Sequence, residues 1–155
     1  MTNTELEVAR RLLFFSQAEA AAMVGGVSEQ AWRRWEAGRK PVPDDVEVRL
    51  RFLLDYRSRA LLAGRAVIEQ APADAELTVI WYGSLDGWAS LEGREPVEWR
   101  AQQSAVAALA AEYPDRVVFV PFDVRAYHAW LAGRPDGEDM RARWAAEVAG
   151  REGEQ

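Results

Sequence analysis

The chain has 155 residues, 49% of them apolar, with 19 basic groups against 25 acidic ones and a formal net charge of -6. That is about one domain, or two small ones, with enough apolar side chains to bury a core rather than stay disordered. No apolar run approaches the roughly 18 residues of a membrane span, nothing at the start reads as a signal peptide, and a cytoplasmic protein is expected. Zero cysteines exclude disulfides, thiolate zinc sites and cysteine nucleophiles. The single histidine, His128, makes a histidine metal cage or a catalytic triad improbable. No catalytic residue, metal or other cofactor is expected, and the chain is not read as an enzyme.

Charge has to be counted by segment. Residues 1–40 carry six basic groups (Arg10, Arg11, Arg33, Arg34, Arg39, Lys40) against five acidic ones, whereas residues 41–155 carry 13 basic and 20 acidic. The positive end is therefore the N-terminal one.

Glu5 to Phe15 predicts a first helix, capped by Thr2 or Asn3, with Leu6, Ala9, Leu13 and Phe14 as its buried stripe. Ser16 with Glu19 forms a capping box that opens a second helix, Gln17 to Val24, which Gly25-Gly26 ends. Ser28 caps a third, Glu29 to Ala37, which Gly38 terminates and Pro41 and Pro43 keep from continuing. Pro43, Asp44 and Asp45 suit the first turn of a long fourth helix. It runs to about Gln70 with Val46, Leu50, Leu53, Leu61 and Ile68 on one face, and Gly64 offers a point for a bend.

After a boundary at residues 71–75 the period changes. Leu77 to Tyr82 predicts a strand, Leu85 to Leu91 a brief helix and Pro96 to Glu112 a firmer one carrying Trp99, Gln103, Val106 and Leu109 on one side. Arg116 to Phe122 predicts a second strand, and Asp123 caps a helix through Leu131. Both strands are apolar throughout, which suits a helix-covered sheet joined by a crossover. Residues 136–149 suit one more amphipathic helix, and Gly150 to Gln155 a solvated tail. The fold class is thus α+β. An all-α helix-turn-helix unit with its long connecting helix spans residues 1–71, a small α/β dimerisation unit with few strands spans 76–132, and an extra helix and polar tail span 133–155.

Two short helices joined by a glycine turn, with one helix before and another after, form the helix-turn-helix layout. Trp32 and Trp35, three apart, face the core on this reading, leaving Glu29, Gln30, Arg33 and Arg34 outward. Arginine reads guanine and glutamine reads adenine bidentately, so Gln30, Arg33 and Arg34 have the chemistry for the major groove.

The stretch Phe15 to Pro43 resembles the lambda-repressor-like, XRE-type helix-turn-helix through Ser16-Gln17, Ala21, Gly26-Val27-Ser28 and Glu36-Ala37-Gly38-Arg39, with Gly25 an extra residue in the turn. Met1 to Leu6, Trp32 with Trp35-Glu36, Val42 to Val46, Leu85-Asp86, Trp99-Arg100 and Gln103 to Leu109 resemble, more narrowly, the YdiL-like proteins and the anti-CRISPR-associated repressors related to them. That likeness covers roughly residues 1–122. It implies a homodimer on an inverted-repeat operator in double-stranded DNA, near the protein's own promoter. It also implies Gln17 near phosphate, Ser28, Gln30, Arg33 and Arg34 on the reading helix, and Arg39 and Lys40 beside the sugar-phosphate backbone.

Simpler readings stand beside several of these. Exposed arginines are by default a solvated face. Glu36 is expected to pair with Arg10 rather than touch DNA, and His128 to lie at the surface. Gly83 to Gly87 reads as a capped turn, lacking the glycine spacing of a nucleotide loop. Trp81, Tyr82 and Trp88 are expected either in the core or at a dimer contact that relieves a short sheet of its open edges. An antitoxin that holds a partner protein through its C-terminal unit is the alternative function. A basic helix can also grip RNA.

Overall fold

The computed structural model describes residues 1–152 as eight α-helices and two strands, with a π turn and a short 3-10 turn between them. Helix α1 (Asn3–Leu12) starts on a capping box between Thr2 and Glu5. Its stripe is Leu6, Ala9 and Leu13, but Phe14 is 45% exposed and Phe15 takes the buried place. The reason is local: Phe14 closes the helix in the left-handed region, φ 65°, which swings its ring outward.

Helix α2 (Gln17–Ala20) opens on the expected Ser16–Glu19 box and then widens into a π turn, Ala21–Gly25. A π turn is how an α-helix absorbs one inserted residue, so the extra glycine lengthens the end of the helix and not the connection after it. A Cβ on Gly25 would sit 3.0 Å from Val27 and 3.3 Å from both Trp32 and Trp35, so any larger residue would have to push these side chains aside. Gly26, at φ 60°, makes the turn itself. Helix α3 (Glu29–Glu36) begins on Ser28, whose Oγ accepts from the Ala31 N–H.

Helix α4 (Asp44–Gln70) is continuous. Gly64 makes room for a neighbour rather than a bend: a Cβ there would lie 2.7 Å from Leu109 Cδ2. Strand β1 (Leu77–Trp81) leads through α5 (Leu85–Ala89) and the 3-10 turn Pro96–Glu98 to α6 (Trp99–Glu112) and strand β2 (Val117–Pro121). The strands pair in parallel, with Leu77 opposite Val117 and Trp81 opposite Pro121. Parallel pairing is what a helical crossover produces. Asp123 caps α7 (Val124–Leu131) by accepting from the Arg125 and Ala126 N–H groups. Helix α8 (Glu138–Glu152) then packs on the sheet. The expected tail from Gly150 is helical as far as Glu152, and the rest of it lies outside the described residues.

One core lies among α1–α4, with Leu6, Trp32, Leu50 and Leu53 nearly inaccessible. The two expected units are not separate at this core, because Ala101 of α6 belongs to it and Val97 packs against it. Ser104 donates to the Leu12 carbonyl at 2.5 Å, and Arg100 pairs with Glu19 at 2.6 Å. The long α4 thus carries the helix-turn-helix on one half and α6 on the other, and α6 locks the two together.

Candidate DNA-binding surface

The geometry of the first three helices is organised by one carboxylate. Glu36, on the last turn of α3, accepts from Arg10 Nε at 2.5 Å, Trp32 Nε1 at 2.7 Å and Gln17 Nε2 at 2.7 Å. Arg10 Nη2 adds a longer bond at 3.3 Å, while its Nη1 donates to the Phe15 carbonyl at 2.9 Å. The two charged side chains are only 10% and 7% exposed. Burial alone would push the Glu36 carboxyl up, but the bonds from Arg10, Gln17 and Trp32 outweigh it and hold the group below the usual carboxylate range. Each of the three helices contributes a donor, so a single ionised acceptor fixes how α3 sits on α1 and α2. Sequence reasoning anticipated the Arg10–Glu36 pair.

It did not anticipate what Gln17 does. The amide of Gln17 donates to Glu36 and accepts from Arg33 Nε at 3.1 Å, so its side chain bridges the buried carboxylate to the surface arginine. Arg33 also pairs with Glu29 at 2.5 Å while remaining 62% exposed. Glu29, itself 41% exposed, thus gives Arg33 an ionic partner one turn earlier on α3. Arg34, Gln30, Arg39 and Lys40 are exposed. The backbone N–H groups of Arg39 and Lys40 both donate to the Arg34 carbonyl, and Gly38 at φ 68° makes that return possible. Ser28 is spent on its cap.

Gln30, Arg33, Arg34 and Arg39 line one shallow depression of about 330 Å³. A second depression beside it shares Arg33 and Ala37 and adds Arg10, Arg11 and Gln17. Lys40 and Ser28 border neither. Arg11 was not among the residues expected at this surface. It pairs with Glu7 one turn earlier at 2.8 Å and is 67% exposed. The adjacent Arg10-Arg11 in the first helix was the available signal, since one faces in and its neighbour, about 100° round the helix, must then face another way.

The aromatic residues expected at a dimer contact part company. Tyr82 and Trp88 are 2% and 3% exposed, packed with Trp99 inside the chain. Trp88 donates to the Glu95 carbonyl, and the Tyr82 carbonyl accepts from Trp99 and Gln103. These two present no surface to a second copy. Trp81 is half-buried, edge-on to Phe119 at 5.7 Å, and remains accessible. His128 is exposed, and Ser84 caps α5 through the Gly87 N–H as a plain turn.

A capped second helix, a left-handed glycine, and an α3 tied to both neighbours with a basic polar face outward define a helix-turn-helix protein. The chain belongs to the Aca2/YdiL-like family, whose model matches residues 1–118. It is 37% identical over 114 residues to a protein named Aca2 repressor from Pectobacterium phage ZF40, an alignment that spans 72% of this chain and 95% of that one. Most of β2, with α7 and α8, lies beyond the family match. No helix among the described residues is long and apolar enough to cross a membrane.

Proposed function

We propose that the chain is a sequence-specific transcriptional repressor, not an enzyme, that acts in the cytoplasm as a two-fold dimer on an inverted-repeat operator and represses its own operon, an anti-CRISPR operon being the setting its relative's kind suggests. The observation that carries this is the depression where α3 presents Gln30, Arg33, Arg34 and Arg39 together. A helix of this kind enters the major groove, and two copies read half-sites about 34 Å apart. Gln30, Arg33 and Arg34 supply base preference, while Arg39, Lys40 and Arg11 supply salt-dependent attraction to phosphate.

The name borne by the phage relative supports the reading. The overall charge of -6 does not oppose it. Fields are screened over about 8 Å at physiological salt, and the acidic excess lies in residues 41–155. That excess weakens binding to non-specific DNA, which favours search for one site.

Footprinting on DNA from upstream of the protein's own gene tests the proposal, with a scrambled duplex and an RNA duplex of the same sequence as controls. Protection of two half-sites one turn apart, on the native DNA alone, is expected. Equal protection of scrambled DNA removes sequence specificity, and preference for the RNA moves the function to RNA.

A further inference from the structure

Helices α7 and α8 and the end of β2 lie past residue 118, where the family match stops. They enclose a depression of about 350 Å³ whose lining runs from Val120 to Arg151. That is the size of a site for a small molecule. Asp123, Ala126 and Trp130 follow one another at three and four residues from the cap of α7 onward, and Trp144, Glu147 and Arg151 do the same along α8. Each helix therefore turns one face to the gap. The gap opens beyond Val120 and Pro121, the carboxyl end of a parallel strand, where open α/β sheets leave room for ligands.

The walls are fixed from several sides. Trp130 donates from Nε1 to Glu147 Oε2 at 2.8 Å, tying α7 to α8. Arg141 anchors α8 by donating to Asp136 at 2.7 Å and to Ser90 at 3.0 Å. Trp144 packs its ring on Phe122 and Tyr127, with centroids 5.5 and 5.7 Å away.

Core packing accounts for that ring but not for its N–H. Trp144 is 4% exposed and lines the depression, yet its Nε1 donates to no acceptor among the described residues. Buried donors are normally partnered, so this one calls for an acceptor from outside the chain. The carboxylates call for the opposite. Asp123 spends Oδ1 on the Arg125 and Ala126 N–H groups and Glu147 spends Oε2 on Trp130, which leaves Asp123 Oδ2 and Glu147 Oε1 to accept. Arg151 stands 3.8 Å from Glu147, too far for a hydrogen bond, so its guanidinium still has donors to give. Val120, Pro121, Ala126 and Val148 supply apolar wall between these groups.

We propose that this depression binds a free amino acid with an apolar side chain. The ligand's ammonium lies between Asp123 and Glu147, its carboxylate accepts from Trp144 Nε1 and Arg151, and its side chain rests on the apolar wall beside Trp130. A purely cationic ligand leaves the Trp144 and Arg151 donors unmet. A purely anionic one sets like charge against Asp123 and Glu147. Only a molecule carrying both signs satisfies every group. None of these residues belongs to α1–α4, so the site stands or falls apart from the reading of DNA.

Calorimetric titration of the full chain near neutral pH, without DNA, tests the proposal. It compares L-phenylalanine with 2-phenylethylammonium, which lacks the carboxylate, and with 3-phenylpropionate, which lacks the ammonium. L-phenylalanine is expected to bind at about millimolar strength or tighter, as suits so small a ligand. Each analogue should bind about tenfold more weakly, the worth of a hydrogen bond to a charged group. In an NMR spectrum the indole N–H signal that disappears in Trp144→Phe should move on addition of L-phenylalanine. Asp123→Asn and Glu147→Gln keep the helix cap and the acceptor for Trp130, so both should keep the wild-type circular dichroism melt while losing about tenfold in affinity. No heat and no indole shift with a folded chain at about 10 mM, ten times the expected strength, overturns the site. Binding of either analogue as strong as that of L-phenylalanine overturns the two-sign recognition, as does undiminished binding by both carboxylate variants.

Discussion

Replacing Glu36 with glutamine should destabilise the helix-turn-helix more than any other single change at its surface-facing half. The side chain keeps its volume and loses its charge, leaving Arg10 at 8% residue exposure without a counter-ion. Glu36 accepts four bonds from three side chains, and glutamine cannot accept them with both terminal atoms because one becomes a donor. Breaking a buried pair by removing one partner costs about 3–5 kcal/mol. That is a third or more of the stability of a small domain. With a urea slope of about 2 kcal/mol/M, the unfolding midpoint should fall by about 2 M, read by tryptophan fluorescence and circular dichroism together.

The pH dependence supplies a second check on the same variant. Glu36 is held below its unfolded value by the Arg10, Gln17 and Trp32 bonds against the cost of burial. Its contribution is therefore complete above the unfolded value of about 4.3 and fades as pH falls through the lowered one. The glutamine variant should lack that part of the acid limb. A midpoint shift worth less than about 1 kcal/mol, with the acid limb unchanged, would refute the claim that this carboxylate organises the three helices.

Gly25→Ala should cost about 1–3 kcal/mol in chemical denaturation, since its methyl group meets Val27, Trp32 and Trp35 at 3.0–3.3 Å; a neutral result would mean the π turn can relax away from α3. Asp136→Asn should lower stability near neutral pH and flatten its loss in acid. Its carboxyl is pulled down to about 2, first by Arg141 and with help from Tyr127 and the Gly137 N–H against the cost of burial. The contribution is present above the unfolded value of about 3.9 and disappears towards pH 2, and parallel acid titrations of variant and wild type would contradict this. Arg33→Ala should cost ~1–3 kcal/mol on the native operator if it reads a base, with a smaller loss on scrambled DNA. Equal losses on both in anisotropy titrations reduce Arg33 to a phosphate contact.

Much of the fold is written in local signals. Thr2, Ser16, Ser28 and Asp123 cap helices as short polar residues ahead of apolar runs should, and each does so through its own side-chain oxygen. The Arg10–Glu36 tie was legible because both lie at fixed places in a known helix arrangement. What escaped depends on contacts distant in sequence. Phe14 and Phe15 are chemically alike, and only the left-handed closure of α1 decides which of them is buried. Gly64 looks like a hinge until Leu109, 45 positions on, is seen packed against it. Gln17 carries the same polar chemistry whether it meets phosphate or Glu36, so its bridging role to Arg33 needed the fold. Tyr82 and Trp88 could not be divided from Trp81 by composition, since burial by α5 and α6 separates them.

The most direct test of the central claim is a gel-shift titration on DNA from upstream of the protein's own gene, at about physiological salt, comparing wild type with Arg33→Ala/Arg34→Ala. Both residues lie on the exposed face of α3, so the double variant should remain folded. Tight binding by the wild type to an inverted repeat, lost in the double variant and absent on scrambled DNA, is the predicted result. Undiminished binding by a folded double variant would contradict the assignment of α3 as the reading helix.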